Sequence, residues 1–163
     1  SSYKMETYST NENVNKSVDL STMALFINKE EEQKRNEEAM QHYLWGVLDS
    51  YTGDLTGYGA DCPLCTGRLA CMSSLDLSNG RNTYMDKTYG EVNIVASSKN
   101  LPCGTIIRFN SKRISDKPVI AIVLDRGVLG NDIDFLSPNE AYAYKYIGRS
   151  SITYDVLRFG WEK

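Results

Sequence analysis

Asp125, Asp132 and Asp134 fall within "AIVLDRGVLGNDIDFLS" (121–137), a stretch that otherwise spells two apolar strands joined by a glycine turn. Carboxylates at the ends of apolar strands are costly unless they are paired, solvated or used. A carboxyl group set among apolar neighbours, as Asp134 is between Ile133 and Phe135, or close to a second carboxylate, has a raised pKa and can serve as a general acid near neutral pH. Structural roles account for the same residues in another way. Asp125 can accept backbone N–H bonds in "DRGVLG", and Asp134 can sit on a barrel rim paired with Arg126 or Arg149.

Other routes to chemistry close. His42, the single histidine, stands far in sequence from every other candidate and reads as a surface or packing residue, so a histidine-driven serine or cysteine nucleophile is not expected. No phosphate-binding glycine loop with its lysine and no dinucleotide fingerprint occur, and nothing calls for a cofactor. "CPLC" places Cys62 and Cys65 at zinc-ligand or redox spacing, but a zinc site would need Cys71 and Cys103 to converge with them. Two disulfides satisfy the same count without a metal and are the expected state; reduced structural thiols remain an alternative. No parallel βαβ pattern surrounds the pair, which disfavours a thioredoxin-like role.

The elements that must position the aspartates lie in the second part of a chain of 163 residues, enough for one domain and an extension. Residues 1–50 hold neither cysteine nor proline and read as a polar, helical extension or tether. A helix is expected from Asn28 to Leu48, with Asn28 as N-cap and Glu30, Glu31 and Glu32 at its positive end. Its apolar residues Ala39, Met40, Tyr43, Leu44, Val47 and Leu48 recur at helical spacing only in the second half. From Tyr51 onward, short alternating strands and glycine turns take over: "LTGYGADC", "EVNIVASS", "GTIIRFN", "PVIAIVLD", "DIDFL" and "ITYDVLRFGW". "SPNEAYAYKYIG" interrupts them as a helix, with Ser137 as N-cap, Pro138 at N1, Glu140 in the first turn and Gly148 at the stop. Many short strands and one short helix suggest a small closed barrel.

The bulk charge narrows the partners. A net charge of −3 and a pI near 5.2 argue against nucleic acid, whose binders carry clustered positive charge. No apolar run is long enough for a transmembrane segment. The polar start "SSYKMETYST" lacks the apolar core of a signal peptide, which is expected to be either removed or not included in this chain.

"GYGADCPLCTG", "EVNIVASSKNLPCGTIIRF" and "AIVLDRGVLGNDIDFLSPNEAYAYKYIGRSSITYDVL" together resemble, in order and spacing, the three-aspartate (3D) domain family. The resemblance covers roughly Gly57 to Trp161. It implies a small six-stranded double-psi β-barrel related to the catalytic barrel of membrane-bound lytic transglycosylase A. Such domains occur in secreted cell-wall enzymes of Gram-positive bacteria, including stationary-phase resuscitation-factor analogues. The expected organisation is thus a 1–50 extension followed by a 51–163 barrel domain, mainly β with one or two short helices.

By the same resemblance Asp125 and Asp134 are two of the family's three aspartates, and Ser97 occupies the position of the third. The implied reaction is that of a murein lytic transglycosylase, a lyase that cleaves the MurNAc-β-1,4-GlcNAc bond of peptidoglycan and leaves 1,6-anhydro ends. Such a reaction needs one carboxyl group, in contrast to the paired acids of ordinary glycosidases. Asp134 is the expected general acid/base and Asp125 its tuning neighbour. Ser97, Thr105, Lys99, Asp132 and Tyr58 are candidate substrate-binding residues, and Tyr84 and Tyr89 candidate sugar platforms. The expected location is extracellular, associated with the cell wall. Two other classes stand beside this reading: a non-catalytic saccharide-binding module, and a structural component of a phage-tail or secretion-type assembly, docked to a protein partner through residues 1–50.

Overall fold

A computed structural model describes residues 22–35 and 46–163. The chain divides into two units, Ser1–Gly46 and Val47–Lys163. In the first, residues 22–35 form helix α1, exposed along its whole length. The helix therefore begins before Asn28, which lies inside it rather than at its cap. Leu48 is not helical but leads directly into the first strand. The expected helical positions Ala39, Met40, Tyr43 and Leu44, and His42, lie outside the described residues.

The second unit is mainly β. Its strands are β1 (Asp49–Gly59), β2 (Thr83–Asp86), β3 (Gly90–Ser97), β4 (Ile106–Phe109), β5 (Val119–Arg126), β6 (Ile133–Ser137) and β7 (Ser150–Arg158). Neighbouring strands follow the order β3-β5-β4-β7-β1-β6, and β6 pairs back onto β3, which closes a six-stranded barrel with β2 outside it. The pairs β1·β6 and β3·β5 are parallel and the others antiparallel. The closed barrel with short helices is the fold class that the sequence suggests, and closure leaves its six strands without free edges. Strand β2, "TYMD", is an addition to the expected set, and β1 starts six residues before "LTGYGADC".

Strand alternation sorts the apolar residues into two layers. Leu55, Val95, Ile107, Phe109, Val123, Ile133, Phe135, Tyr154 and Val156 belong to one buried cluster drawn from all six barrel strands, which is the barrel interior. The alternate residues Tyr58, Ile94, Ala96, Ile106, Ile122, Leu124 and Leu136 form a second cluster with Leu69 and Leu77 of the 60–82 loop. That loop is thus a lid of buried leucines over the outer face. A disulfide between Cys71 and Cys103 ties it to the turn before β4, and a second disulfide joins Cys62 to Cys65 at its start.

The short helix α2 starts at Glu140, with Asn139 as its N-cap: the Asn139 side chain accepts a 2.8 Å bond from the Tyr142 N–H. Ser137 is instead the last residue of β6, so the cap expected there moves two residues on. After one α-helical turn the chain widens into a π-helical turn, Ala143–Ile147, and stops at Gly148, whose positive φ suits glycine.

Candidate active site

Asp125 and Asp134 meet across one residue. In β3, Ala96 pairs with Asp125 of β5 on one side and with Asp134 of β6 on the other. The register of β3·β5 slips between Val95 and Ala96, so that β5 advances from Val123 to Asp125 while β3 advances by one residue. Strict alternation after Val119, Ala121 and Val123 would send Asp125 into the barrel. The extra residue, Leu124, re-aims it to the outer face, where the loop and Tyr58 await.

Asp125 is tightly held. Its carboxylate accepts bonds from the Tyr58 hydroxyl (2.8 Å), the Ala70 N–H (3.0 Å) and the Arg126 N–H (2.9 Å). It therefore fastens the lid loop to the end of β5. The backbone-accepting role expected of it is present, although one N–H comes from the lid rather than from its own turn. Tyr58, buried beside it, has a raised pKa, first from burial and then from the Asp125 charge, so it acts as a donor.

Asp134 is different. Its oxygen accepts a 2.9 Å bond from the Thr56 hydroxyl, and no cation lies within ion-pairing distance among the described residues. Arg149, a candidate partner, bonds Asp54 instead at 2.8 Å, and Arg126 bonds the Ser97 hydroxyl (3.0 Å) and the Ser98 carbonyl (3.1 Å). Burial pushes the Asp134 carboxyl up to about 6, with help from the negative charges of Glu140 and Asp125 and against the pull of Thr56 and Arg149. A carboxyl of this kind gains and loses its proton near pH 6, so a protonated fraction is available to donate in mildly acidic to neutral solution.

Asp134, Asp125, Tyr58 and Thr56 line an open cleft of about 570 Å³, together with Glu140, Arg149, Arg68 and the Cys62–Cys65 turn. Glu140 is fixed from both ends of the residue. Its carboxylate accepts the Gly59 N–H at 2.7 Å, and its own N–H donates to Asp61 at 2.8 Å. A Cβ at Gly59 would collide with the backbone of Asn139 and Glu140, so the approach that makes this contact requires glycine.

The remaining sequence candidates lie elsewhere. Thr105 is fully buried, and its hydroxyl accepts the Gly160 N–H at 3.0 Å, which anchors the C-terminal segment rather than a substrate. Ser97 is buried and donates to the Ser98 carbonyl while it accepts from Arg126. Asp132 accepts the Asp54 N–H at 2.9 Å and so pins the turn before β6 to β1, close to Gly53, where any side chain would strike Asn131. Lys99 is exposed and outside the cleft lining, and Tyr84 packs near Trp161 while Tyr89 lies near Arg158. Thr56, Glu140 and Arg68 are cleft residues that sequence reasoning did not select, while Arg126 and Arg149, considered there only as ion-pair partners of Asp134, line the cleft as well. Thr56 carried one usable signal, since it shares a strand face with Tyr58. The four cysteines form two disulfides, and no cluster among the described residues has the makings of a metal site.

No family model matches the chain, and no curated protein matches it.

Proposed function

We propose that the chain is a lytic transglycosylase of peptidoglycan, cleaving the MurNAc-β-1,4-GlcNAc bond with Asp134 as its single general acid/base. The supporting observation is a partly buried carboxyl group without a cation partner, held by one hydroxyl at the wall of an open cleft. Its pKa of about 6 suits both halves of the reaction. Protonated Asp134 gives its proton to the glycosidic oxygen as the bond to the anomeric carbon breaks. The resulting carboxylate then accepts the proton of the muramoyl 6-hydroxyl as that oxygen bonds to the same carbon. Water is not consumed, and the proton count closes.

Asp125 contributes negative charge that raises the Asp134 pKa and holds Tyr58 and the lid in place. Glu140 raises it further, and Arg149 provides a cation at the cleft that a carbonyl or carboxylate of the substrate can meet. The resemblance to three-aspartate domains points to the same substrate. Two disulfides fit an oxidising, extracellular compartment, and no helix among the described residues is long and apolar enough to cross a membrane. The test is product analysis of digested peptidoglycan: soluble fragments with 1,6-anhydro ends support the reading, and fragments with reducing ends contradict it.

A non-catalytic peptidoglycan-binding module is the second reading, favoured by Ser97 at the position where the resemblance expects an aspartate. Retention on the wall without any released fragment selects it.

A further inference from the structure

A pocket of about 490 Å³ lies at the starts of β3 and β5, whereas Asp125 and Asp134 stand near the end of β5 and the start of β6. It shares no lining residue with the Asp134 cleft. Strand alternation builds it. Glu91 and Asn93 continue the face of β3 that carries Val95 into the barrel interior, so the row turns polar where it leaves the core. The Ile94 N–H donates to the Asn82 carbonyl at 3.1 Å, which sets Asn82 beside Asn93. Buried Val119, Phe135 and Ile147 of the interior cluster form the floor. Arg113 donates to the Ile147 carbonyl at 2.8 Å and to the Arg149 carbonyl at 3.1 Å, and so fixes the turn that carries Ile114 as one wall.

The rim has one charge and its sign is negative. Glu91 is exposed and forms no ion pair with any described residue, and neither lysine nor arginine is among the described lining residues. The half-buried side chains of Asn82 and Asn93 have no hydrogen-bond partner among the described residues. The rim thus offers a carboxylate and two amide carbonyls as acceptors above an apolar floor. A primary ammonium, with three N–H donors and no acceptor, is the complement of that set, and its bond to the carboxylate is charge-assisted. An anionic headgroup would meet Glu91 with no cation in the lining to offset it. Tyr142 adds an exposed ring to the lining, and ring faces attract cations. The volume falls in the range of small-ligand sites, roughly 300–1,000 Å³.

We propose that this pocket binds a small aliphatic primary amine, with its hydrocarbon chain on Val119, Phe135 and Ile147 and its ammonium at Glu91, Asn82 and Asn93. The apolar floor and polar rim set the direction of entry, tail first. A lysine side chain in a peptide is tethered at its carbon end and would enter ammonium first, which places the charge on the apolar floor. The ligand is therefore a free amine. The site is independent of the Asp134 reaction.

The test is an NMR titration of the isotope-labelled full chain at pH 7 with hexylammonium, 1-hexanol, hexanoate and Nα-acetyl-lysine methylamide. Hexylammonium is expected to bind about tenfold more tightly than hexanol, and the other two more weakly than hexanol. Amide shifts are expected at Glu91, Asn93 and Val119. Glu91→Gln brings hexylammonium down to the affinity of hexanol, and Glu91→Lys reverses the order so that hexanoate binds more tightly than hexylammonium. Glu91 is exposed, and a melting curve confirms that each variant folds. Equal binding of hexylammonium and hexanol by the wild type, no binding of either, or a hexylammonium affinity that both variants leave unchanged overturns the site. A lysine derivative that binds as tightly as hexylammonium overturns the free-amine assignment.

Discussion

Thr56 and Asp134 are register partners in the parallel pair β1·β6, and the same two side chains are joined by a 2.9 Å hydrogen bond. The bond is the main brake on the Asp134 proton affinity, since the threonine hydroxyl stabilises the carboxylate that burial destabilises. Thr56→Val keeps the shape of the side chain and removes the donor. The Asp134 pKa is then expected to rise above about 6, and the alkaline limb of any activity profile, where the required proton is lost, to move up with it by up to about one unit. A carboxyl titration followed by NMR checks the shift, and an unmoved pKa contradicts the role given to Thr56.

Asp134 also costs stability. Its pKa rises from 3.8 in the unfolded chain to about 6 on folding, so between those values the folded form binds the proton more tightly. Stability therefore falls as pH rises through that window, and the penalty is fully present above it. Asp134→Asn is expected to stabilise the domain at pH 7 by about 1–2 kcal/mol, after allowance for solvent screening of a partly exposed group, and to leave stability at pH 3 almost unchanged. Denaturant melts at the two pH values test this, and equal effects at both would contradict it.

Asp86 works with the opposite sign. It is buried, and Arg158 grips its two oxygens at 2.8 and 3.1 Å while the Thr88 and Tyr89 N–H groups bond to one of them. The Arg158 bonds lead in holding its pKa down to about 2, below the 3.8 of the unfolded chain. The stability it contributes is present above pH 3.8 and is lost as pH falls towards 2. Arg158 also bonds the Gly104 and Gly160 carbonyls, so Arg158→Met strands a buried carboxylate and frees the C-terminal segment. A loss of about 3–5 kcal/mol is expected at pH 7 by chemical denaturation; a loss below about 1 kcal/mol would assign the pair no structural weight.

The two disulfides differ in what they constrain. Cys71–Cys103 closes a sequence separation of 32 and holds the lid against the barrel, whereas Cys62–Cys65 closes a separation of 3 at the cleft margin. Cys71→Ala/Cys103→Ala is expected to cost about 2–4 kcal/mol and to loosen the Ala70 contact with Asp125. Cys62→Ala/Cys65→Ala should cost clearly less. Paired melting curves decide, together with hydrogen exchange at Ala70; equal losses would show that loop length does not govern the effect.

Much of the barrel is visible in the sequence because strand alternation is strong where both layers are apolar, as from Ile120 to Leu124. Strand β2 escapes because "TYMD" is short and half polar, and its partner β3 supplies the pattern that it lacks. Asn28 misleads as a cap because it has the side chain of one but no preceding break in helix formers, and it lies inside α1. The pairing of Asp125 and Asp134 around Ala96 depends on the bulge at Leu124, and no local signal in "VLDRG" announces an extra residue. Thr105 and Ser97 show the converse. Their hydroxyls suggest a polar site in sequence, but tertiary contacts with Gly160 and Arg126 consume them in the interior. Glu140 reads locally as a helix-start acid, and only the close approach of Gly59 turns it into a wall of the cleft.

The most direct test of the central claim is digestion of purified peptidoglycan by the wild type and by Asp134→Asn near pH 6, with mass spectrometry of the soluble products. Muropeptides with 1,6-anhydro ends, lighter by one water than hydrolysis products and reduced at least about a hundredfold in the variant, are the predicted result for a positioned general acid. Equal release of anhydro products by both proteins, or no release by either, would contradict the assignment of Asp134 as the catalytic acid/base.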